Sequence, residues 1–438
     1  MKLDVLLGHL LVGTLEHDPA TNRFAFAYAQ QWLRAKDCFA LSPQLPLFEL
    51  PGQPADAHSA AVRQFFENLL PEGQALDAAA SSHRISKSNL MGLLVALGGE
   101  TAGALRLRLD DVGTEEREGV RPVSDAELSE RIRLRPQLPF SVWDGKVRLS
   151  IAGFQDKMAL YRSTAGWAIV EGVDLASTHI LKPEPVSSAL AGLTSNEFVC
   201  MRLAKAAGLP VAPVELIHVP EPVLVVTRFD RRVREGRIER LHIIDGCQAL
   251  GLSSGFKYER PYGDVRDVRQ IRDGASLPRL FALLADTAQP AAQRLQLLRW
   301  TIFQVLIGNT DAHAKNLSFF SGPEGLSLAP AYDLVCALAF DRQALAGTYA
   351  MAIGDAFSED ELCPYEWANF AEACGLNPKL VGRELTRLAK ATLAALDREL
   401  GEAIRLGAKA EPVAMLEQVI RTSCRRQIDM APEIPSAC

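Results

Sequence analysis

None of the eight cysteines of this 438-residue chain forms a Cys-x-x-Cys pair, and no His/Cys group has metal-site spacing. A disulfide framework and a zinc module are therefore not expected. The scattered cysteines fit reduced thiols in a cytoplasmic protein. No run of eighteen apolar residues occurs, so neither a membrane span nor a membrane partner is expected. The opening Met1-Lys-Leu-Asp-Val-Leu-Leu-Gly-His9 lacks the long apolar stretch of a signal peptide. There is no internal repeat and no G-K-[ST] phosphate loop of the Walker type. A net charge of −6 argues against a whole-molecule polyanion binder. What remains is a globular composition, 48% hydrophobic and 23% charged, long enough for two or three structural units.

Asp311-Ala-His-Ala-Lys-Asn316 is the most informative stretch that is present. A further carboxylate, Asp333, follows in Ala-Tyr-Asp-Leu. Kinase-type phosphoryl transfer needs this order: an aspartate for the hydroxyl proton, an asparagine for one magnesium ion, and an aspartate for metals bridging the phosphates. An Asp and Asn at this spacing can also simply cap a turn. The setting favours the chemical reading. The apolar pattern Leu295, Leu298, Ile302, Val305, Leu306 predicts a helix stopped at Gly308-Asn309. Leu-Ser-Phe-Phe, Ser-Gly-Pro-Glu-Gly and Leu-Ser-Leu-Ala then predict a hairpin that delivers Asp333.

The other parts of an ATP site lie upstream. Ser150-Ile-Ala-Gly-Phe-Gln-Asp-Lys157 follows a strand-like run. Its small residues, Ala152 and Gly153, let backbone N–H groups approach an anion. Taken singly, the segment is also compatible with an ordinary β-turn. Thr178-His-Ile-Leu-Lys182 reads as a strand ending in a lysine, either a solvated edge charge or a partner for ATP phosphates. Glu197 opens the helical run Phe198 to Ala207, as a first-turn acid or as the partner of Lys182. Pro222-Val-Leu-Val-Val-Thr-Arg-Phe-Asp230 reads as a buried strand leaving into a charged turn. That is where a kinase hinge meets adenine, with Asp230 in reach of a ribose. A core strand with a solvated hairpin tip is the other reading.

The phrases SIAGFQDK, HILKPE, SNEFVCMRLA, VTRFDR, GNTDAHAKN and APAYDL, in this order, resemble the HipA family of serine/threonine protein kinases. These are the toxin halves of bacterial toxin–antitoxin modules. Val12-Gly-Thr-Leu, Leu41-Ser-Pro-Gln-Leu-Pro-Leu and Phe65-Phe-Glu-Asn-Leu-Leu-Pro-Glu extend the resemblance towards the N-terminus. The resemblance implies an α+β, two-lobed protein-kinase-like fold related to phosphatidylinositol kinases, with an N-terminal α+β subdomain and a mainly helical C-terminal lobe. It implies ATP and Mg2+ as cofactors. A helix-turn-helix, HipB-like antitoxin is the implied partner, and an aminoacyl-tRNA synthetase the implied protein substrate. DNA is met only through the antitoxin complex.

Carried over by motif, Asp311 resembles the catalytic base, and Asn316 and Asp333 the metal ligands. Lys182 resembles the phosphate-binding lysine. Ser150, Ile151, Ala152 and Gly153 resemble the phosphate loop, with Ser150 the autophosphorylated serine. Thr227 and Phe229 resemble the adenine contacts and Asp230 the ribose contact. Lys157, His313 and Asn316 complete the implied nucleotide-binding set. Two rival readings stay open: a small-molecule kinase sharing the same Asp/Asn/Asp logic, and a non-catalytic co-repressor bound to the antitoxin. The large N-terminal region speaks against the first, and the intact catalytic positions against the second.

Composition suggests the organisation. Residues 1–107 form an α+β cap, and 108–135 a charged surface connection. Residues 136–245 form a smaller lobe, 246–425 a helical larger lobe, and 426–438 a frayed tail. Late in the chain, Asn377 would cap a helix from Pro378 to Leu396. On it Lys379, Arg383, Arg387 and Lys390 share one arc, opposite Val381, Leu385, Leu388 and Leu396. That arc is either the solvated face of a core helix or a DNA-phosphate stripe.

Overall fold

The two largest sheets of the computed structural model are built from segments far apart in the chain. It describes residues 1–48, 52, 54–109, 119–144, 146–147, 155–234, 237–341, 345 and 347–437. The chain divides into two compact units. The first comprises 1–183, 218–254 and 319–326, and the second 184–217, 255–318 and 327–438. The expected boundary at 245/246 is thus too simple.

The first unit opens with an antiparallel sheet in the order Arg23–Tyr28, Leu10–Asp18, Lys2–Leu7, Leu105–Leu109. Leu3, Val5 and Leu15 are fully buried in it. Gly13 has a steric reason: a Cβ there would lie 2.5 Å from the Ala27 carbonyl oxygen and 2.6 Å from the Phe26 ring. Helix Ala55–Glu67 buries Val62, Phe65 and Phe66. Ser42 donates to the Gln248 carbonyl at 2.9 Å, and Gln248 donates to the Phe65 carbonyl at 3.0 Å. Two of the N-terminal motifs are therefore tied to a residue 206 and 183 positions later.

In the second sheet Pro222–Thr227, His179–Pro183, Met158–Ser163, Gly166–Glu171 and Gly119–Val123 lie side by side, all antiparallel. The described part of the expected charged connection is therefore structured. Gly119–Val123 adds a strand, and Ser124 caps helix Asp125–Arg133 by accepting from the Glu127 N–H at 3.2 Å. Leu128 and Ile132 are buried beneath that helix, which explains why a charge-rich segment folds.

The second unit is helical around Leu193–Ala206, Pro290–Leu306, Pro364–Ala373, Pro378–Arg405 and Ala410–Met430. The predicted stop after Leu306 is present, with Gly308 at φ 64°. Strands Ser318–Gly322 and Gly325–Leu328 form the expected hairpin. The helix capped by Asn377, which accepts from the Lys379 N–H at 2.9 Å, runs on to Arg405. Val381, Leu385, Leu388 and Leu396 are fully buried, and Lys379, Arg383, Arg387 and Lys390 are exposed. The frayed tail is a correction. Helix Ala410–Met430 is followed by a 3₁₀ turn, Ile434–Ser436, whose Ile434 is fully buried. Apolar Ala431 and Ile434 bury themselves in the helical core and offset the ordering cost that the prolines suggested would win.

Candidate catalytic and metal-binding site

Asp311 sits just past the long helix Pro290–Leu306, on a loop whose main chain is hydrogen-bonded almost throughout. Asn309 receives a hydrogen bond from the Asp311 N–H at 3.1 Å and donates to Gln304 Oε1 at 2.8 Å. The Ala350 N–H donates to the Thr310 carbonyl, and the Ala314 N–H to the Lys257 carbonyl. A single 3₁₀ turn, Ala314–Asn316, then brings the Asn316 side chain back. Its Nδ2 donates to the Asp311 carbonyl at 2.9 Å. That bond fixes the amide, and its Oδ1 is the atom that could hold a cation. The five-residue spacing thus places acid and amide on one rigid loop, as the motif predicts.

Asp333 lies in the left-handed region at φ 56°, uncommon outside glycine and tolerated best by Asp and Asn. Its flanks are pinned. The Ala331 N–H donates to the Pro210 carbonyl, and the Ala212 N–H to the Ala331 carbonyl. Asn196 clamps the other side, receiving from the Cys336 N–H at 2.8 Å and donating to the Cys336 carbonyl at 3.1 Å. The uncommon backbone conformation is thus held from both sides.

His313 faces the same charges. Burial, reinforced by Lys257 and opposed by Asp333, lowers its pKa to about 3, so the imidazole is neutral at pH 7. Its Nδ1 is buried and has no hydrogen-bond partner among the described residues. The Tyr258 ring meets it edge-on at 5.1 Å. Tyr258 also donates to Asp311 Oδ1 at 2.7 Å. An amide oxygen and a carboxylate are hard oxygen donors, and two such protein ligands suit Mg2+, which keeps waters and takes phosphate oxygens for the rest.

The remaining expected site residues lie in the first unit, and Ser150, Ile151, Ala152 and Gly153 fall outside the described residues. Lys157 and Lys182 are buried, with Lys182 opposite Leu224 in the sheet. Thr227 ends its strand opposite His179, and the Arg228 N–H donates to the Thr178 carbonyl. Phe229 packs edge-on against Phe320 at 6.0 Å.

Asp230 is a correction. Its Oδ2 accepts from Arg228 Nη2 at 2.7 Å, Arg231 Nη1 at 2.8 Å and the Gly103 N–H at 2.8 Å, and Arg228 Nε takes Oδ1 at 3.0 Å. Burial alone would raise its pKa; Arg228 and Arg231 outweigh burial and hold it far below the usual carboxylate range. Only 4% exposed, this carboxylate serves an ion network and is not presented to a ribose. Glu100 closes the network with Arg228, Arg231 and Arg240.

Sequence reasoning missed Tyr258, treated Asn309 only as a helix stop, and carried Asn196 only within the SNEFVCMRLA motif. Tyr258 lies between Phe256 and Tyr262 in a segment without helix or strand periodicity, so no local signal marked it.

The HipA N-terminal domain model matches residues 3–108, and the HipA-like C-terminal domain model matches residues 149–396. This chain belongs to the HipA family. It is 40% identical over 395 residues to the serine/threonine-protein kinase toxin HipA of Shewanella oneidensis, covering 89% of this chain and 87% of that one. It also resembles the solved Shewanella oneidensis HipA–HipB complex with operator DNA, at TM-score 0.87 and 37% identity over 99% of both chains. Asp311, Asn316, Asp333, Lys182, Lys379 and Arg383 all fall within the C-terminal HipA match.

Proposed function

We propose that this HipA-family chain is an ATP- and Mg2+-dependent serine/threonine kinase, the toxin of a toxin–antitoxin pair, with a two-lobed fold related to phosphatidylinositol kinases. The observation that carries the reading is the Asp311 carboxylate and the Asn316 amide on one hydrogen-bonded loop. Asp311 accepts the proton of a substrate hydroxyl. The hydroxyl oxygen bonds the γ-phosphorus of ATP, the bond to the β,γ-bridging oxygen breaks, and ADP leaves. Asn316 and Asp333 would hold Mg2+, which neutralises phosphate charge. Neutral His313, whose Nδ1 has no hydrogen-bond partner among the described residues, and the buried Lys157 and Lys182 are the proposed phosphate-binding groups. Thr227 and Phe229 meet adenine through backbone atoms. The substrate class is an aminoacyl-tRNA synthetase, and the partner a HipB-like helix-turn-helix antitoxin.

The purified chain, incubated with labelled ATP, Mg2+ and a cell lysate, should label a protein band. Label on small metabolites alone would favour a small-molecule kinase, and no label a non-catalytic co-repressor.

Ser150 is the proposed autophosphorylation site. A phosphate there brings roughly −1.5 to −2 charges to a loop that receives the phosphates of ATP, so the two anions compete for one set of N–H groups. Mass spectrometry after incubation with Mg–ATP should find phosphate on Ser150 in the active protein and none in Asp311→Asn. An unmodified Ser150 in an active enzyme rules the switch out.

The exposed face of helix Pro378–Arg405 is proposed to touch DNA held by the antitoxin. Arg387 is engaged with Glu384 at 3.0 Å and with the Ala207 carbonyl, so the contact is assigned to Lys379 and Arg383. Changing both to Glu should leave kinase activity intact and weaken operator binding by the complex. The slope of log affinity against log salt should fall by about one per lost phosphate contact. Unchanged affinity across a salt series returns this arc to a solvated face.

A further inference from the structure

We propose that Tyr258 is a positioning residue for the catalytic carboxylate of Asp311, setting the rotation of that carboxylate and hence the oxygen that meets the substrate hydroxyl. The inference rests on the kinase reading of Asp311. Three observations in the second unit carry it. The Tyr258 hydroxyl donates to Asp311 Oδ1 at 2.7 Å, a short bond to a group that is anionic when it acts as base. The main chain on both sides of Tyr258 is tied to the catalytic loop. The Lys257 carbonyl accepts from the Ala314 N–H, and the Glu259 N–H donates to the Ala350 carbonyl, whose own N–H reaches Thr310. The Tyr258 ring lies edge-on against His313, two residues from Asp311.

These bonds give Tyr258 little freedom. Its Cα is held on the same frame as Asp311, and its ring is held by His313, so the hydroxyl is aimed. The segment that follows is anchored as firmly. Arg272 pairs with Glu259 at 2.5 Å and with Asp355 at 2.5 Å, and the Gly274 N–H returns to the Glu259 carbonyl. The Ala352 N–H donates to Glu259 Oε2 at 2.8 Å. A tyrosine needed only to fill space would require the ring and not this aimed hydroxyl. A carboxylate free to rotate would spend part of its time turned away from the hydroxyl it must deprotonate, and the loss falls on the chemical step.

The test compares Tyr258→Phe and Tyr258→Ala with the wild-type chain, after wild-type phosphoryl transfer has been measured. Tyr258→Phe keeps the ring contact and removes only the hydroxyl. It should keep the thermal midpoint, the ATP affinity and the KM for ATP, and lower kcat roughly ten- to hundredfold, as expected for one lost hydrogen bond to a charged group. Tyr258→Ala should lower kcat at least as far and also lower the midpoint. If Phe restores wild-type kcat while Ala does not, the residue is structural and the proposal is overturned. A fall confined to ATP affinity, with kcat unchanged, overturns it equally. A wild-type chain that transfers no phosphoryl group to any acceptor defeats the kinase reading itself, a result distinct from either of these.

Discussion

Asp311→Asn should abolish most phosphoryl transfer, by about 10² to 10⁴ in kcat, while ATP still binds. Asparagine keeps the shape of the side chain and can still contact Tyr258, but it cannot take up the substrate proton. The loop should persist, because its bonds run through the main chain and the Asn309 and Asn316 side chains. Asp333→Ala should behave differently. It removes the proposed anionic metal ligand, so Mg–ATP affinity itself should weaken. Nucleotide titration and single-turnover kinetics on both variants separate the two effects. Near wild-type turnover in Asp311→Asn would remove the catalytic assignment and with it the inference about Tyr258.

Asp230→Ala should destabilise the chain by about 3–5 kcal/mol, since it leaves Arg228 and Arg231 buried with only Glu100 to pair with among the described residues. The loss should appear as a lower midpoint of thermal or denaturant unfolding. A ribose ligand at this position would give the opposite pattern, with ATP affinity reduced and stability spared. The pH dependence has a definite sign. Asp230 is depressed in the folded state, so its contribution is fully present above the ordinary Asp pKa. It is lost as pH falls below that value toward the folded one. The gap between wild type and variant should therefore be wide at pH 7 and narrow in strong acid. Replacing the ion network wholesale with apolar residues is a different experiment and need not destabilise, because the penalty comes from orphaned charge.

The contrast between Asp311 and Asp230 shows where the sequence is informative. Asp311 and Asn316 lie five residues apart, so a single loop turn brings amide and carbonyl together. The helix ending at Leu306, the Asn377 cap and the hairpin after Asn316 are equally local, fixed by apolar period, capping and turn chemistry. Asp230 has its charge partners Arg228 and Arg231 next to it, yet its burial depends on Gly103, whose N–H comes from 127 residues away. Read locally, a charged turn after a strand is a solvated tip. Glu100, packed against the same arginines, turns it into core.

Distance along the chain also hid Tyr258, 53 residues before Asp311, and the clamp of Asn196 on Cys336, across 140 residues. The tail was misread for the same reason. Its prolines signal disorder to a local reading, whereas its apolar Ala431 and Ile434 fold into the helical core. The sequence by itself determined the candidate chemistry-bearing residues, the elements that carry them and the HipA resemblance, because those depend on neighbours within a few turns. Only the tertiary structure decided which carboxylate is presented and which is locked in a salt network. It alone gave Asp311 its tyrosine and the C-terminus its packing, since burial and charge pairing are set by residues that meet only when the chain has folded.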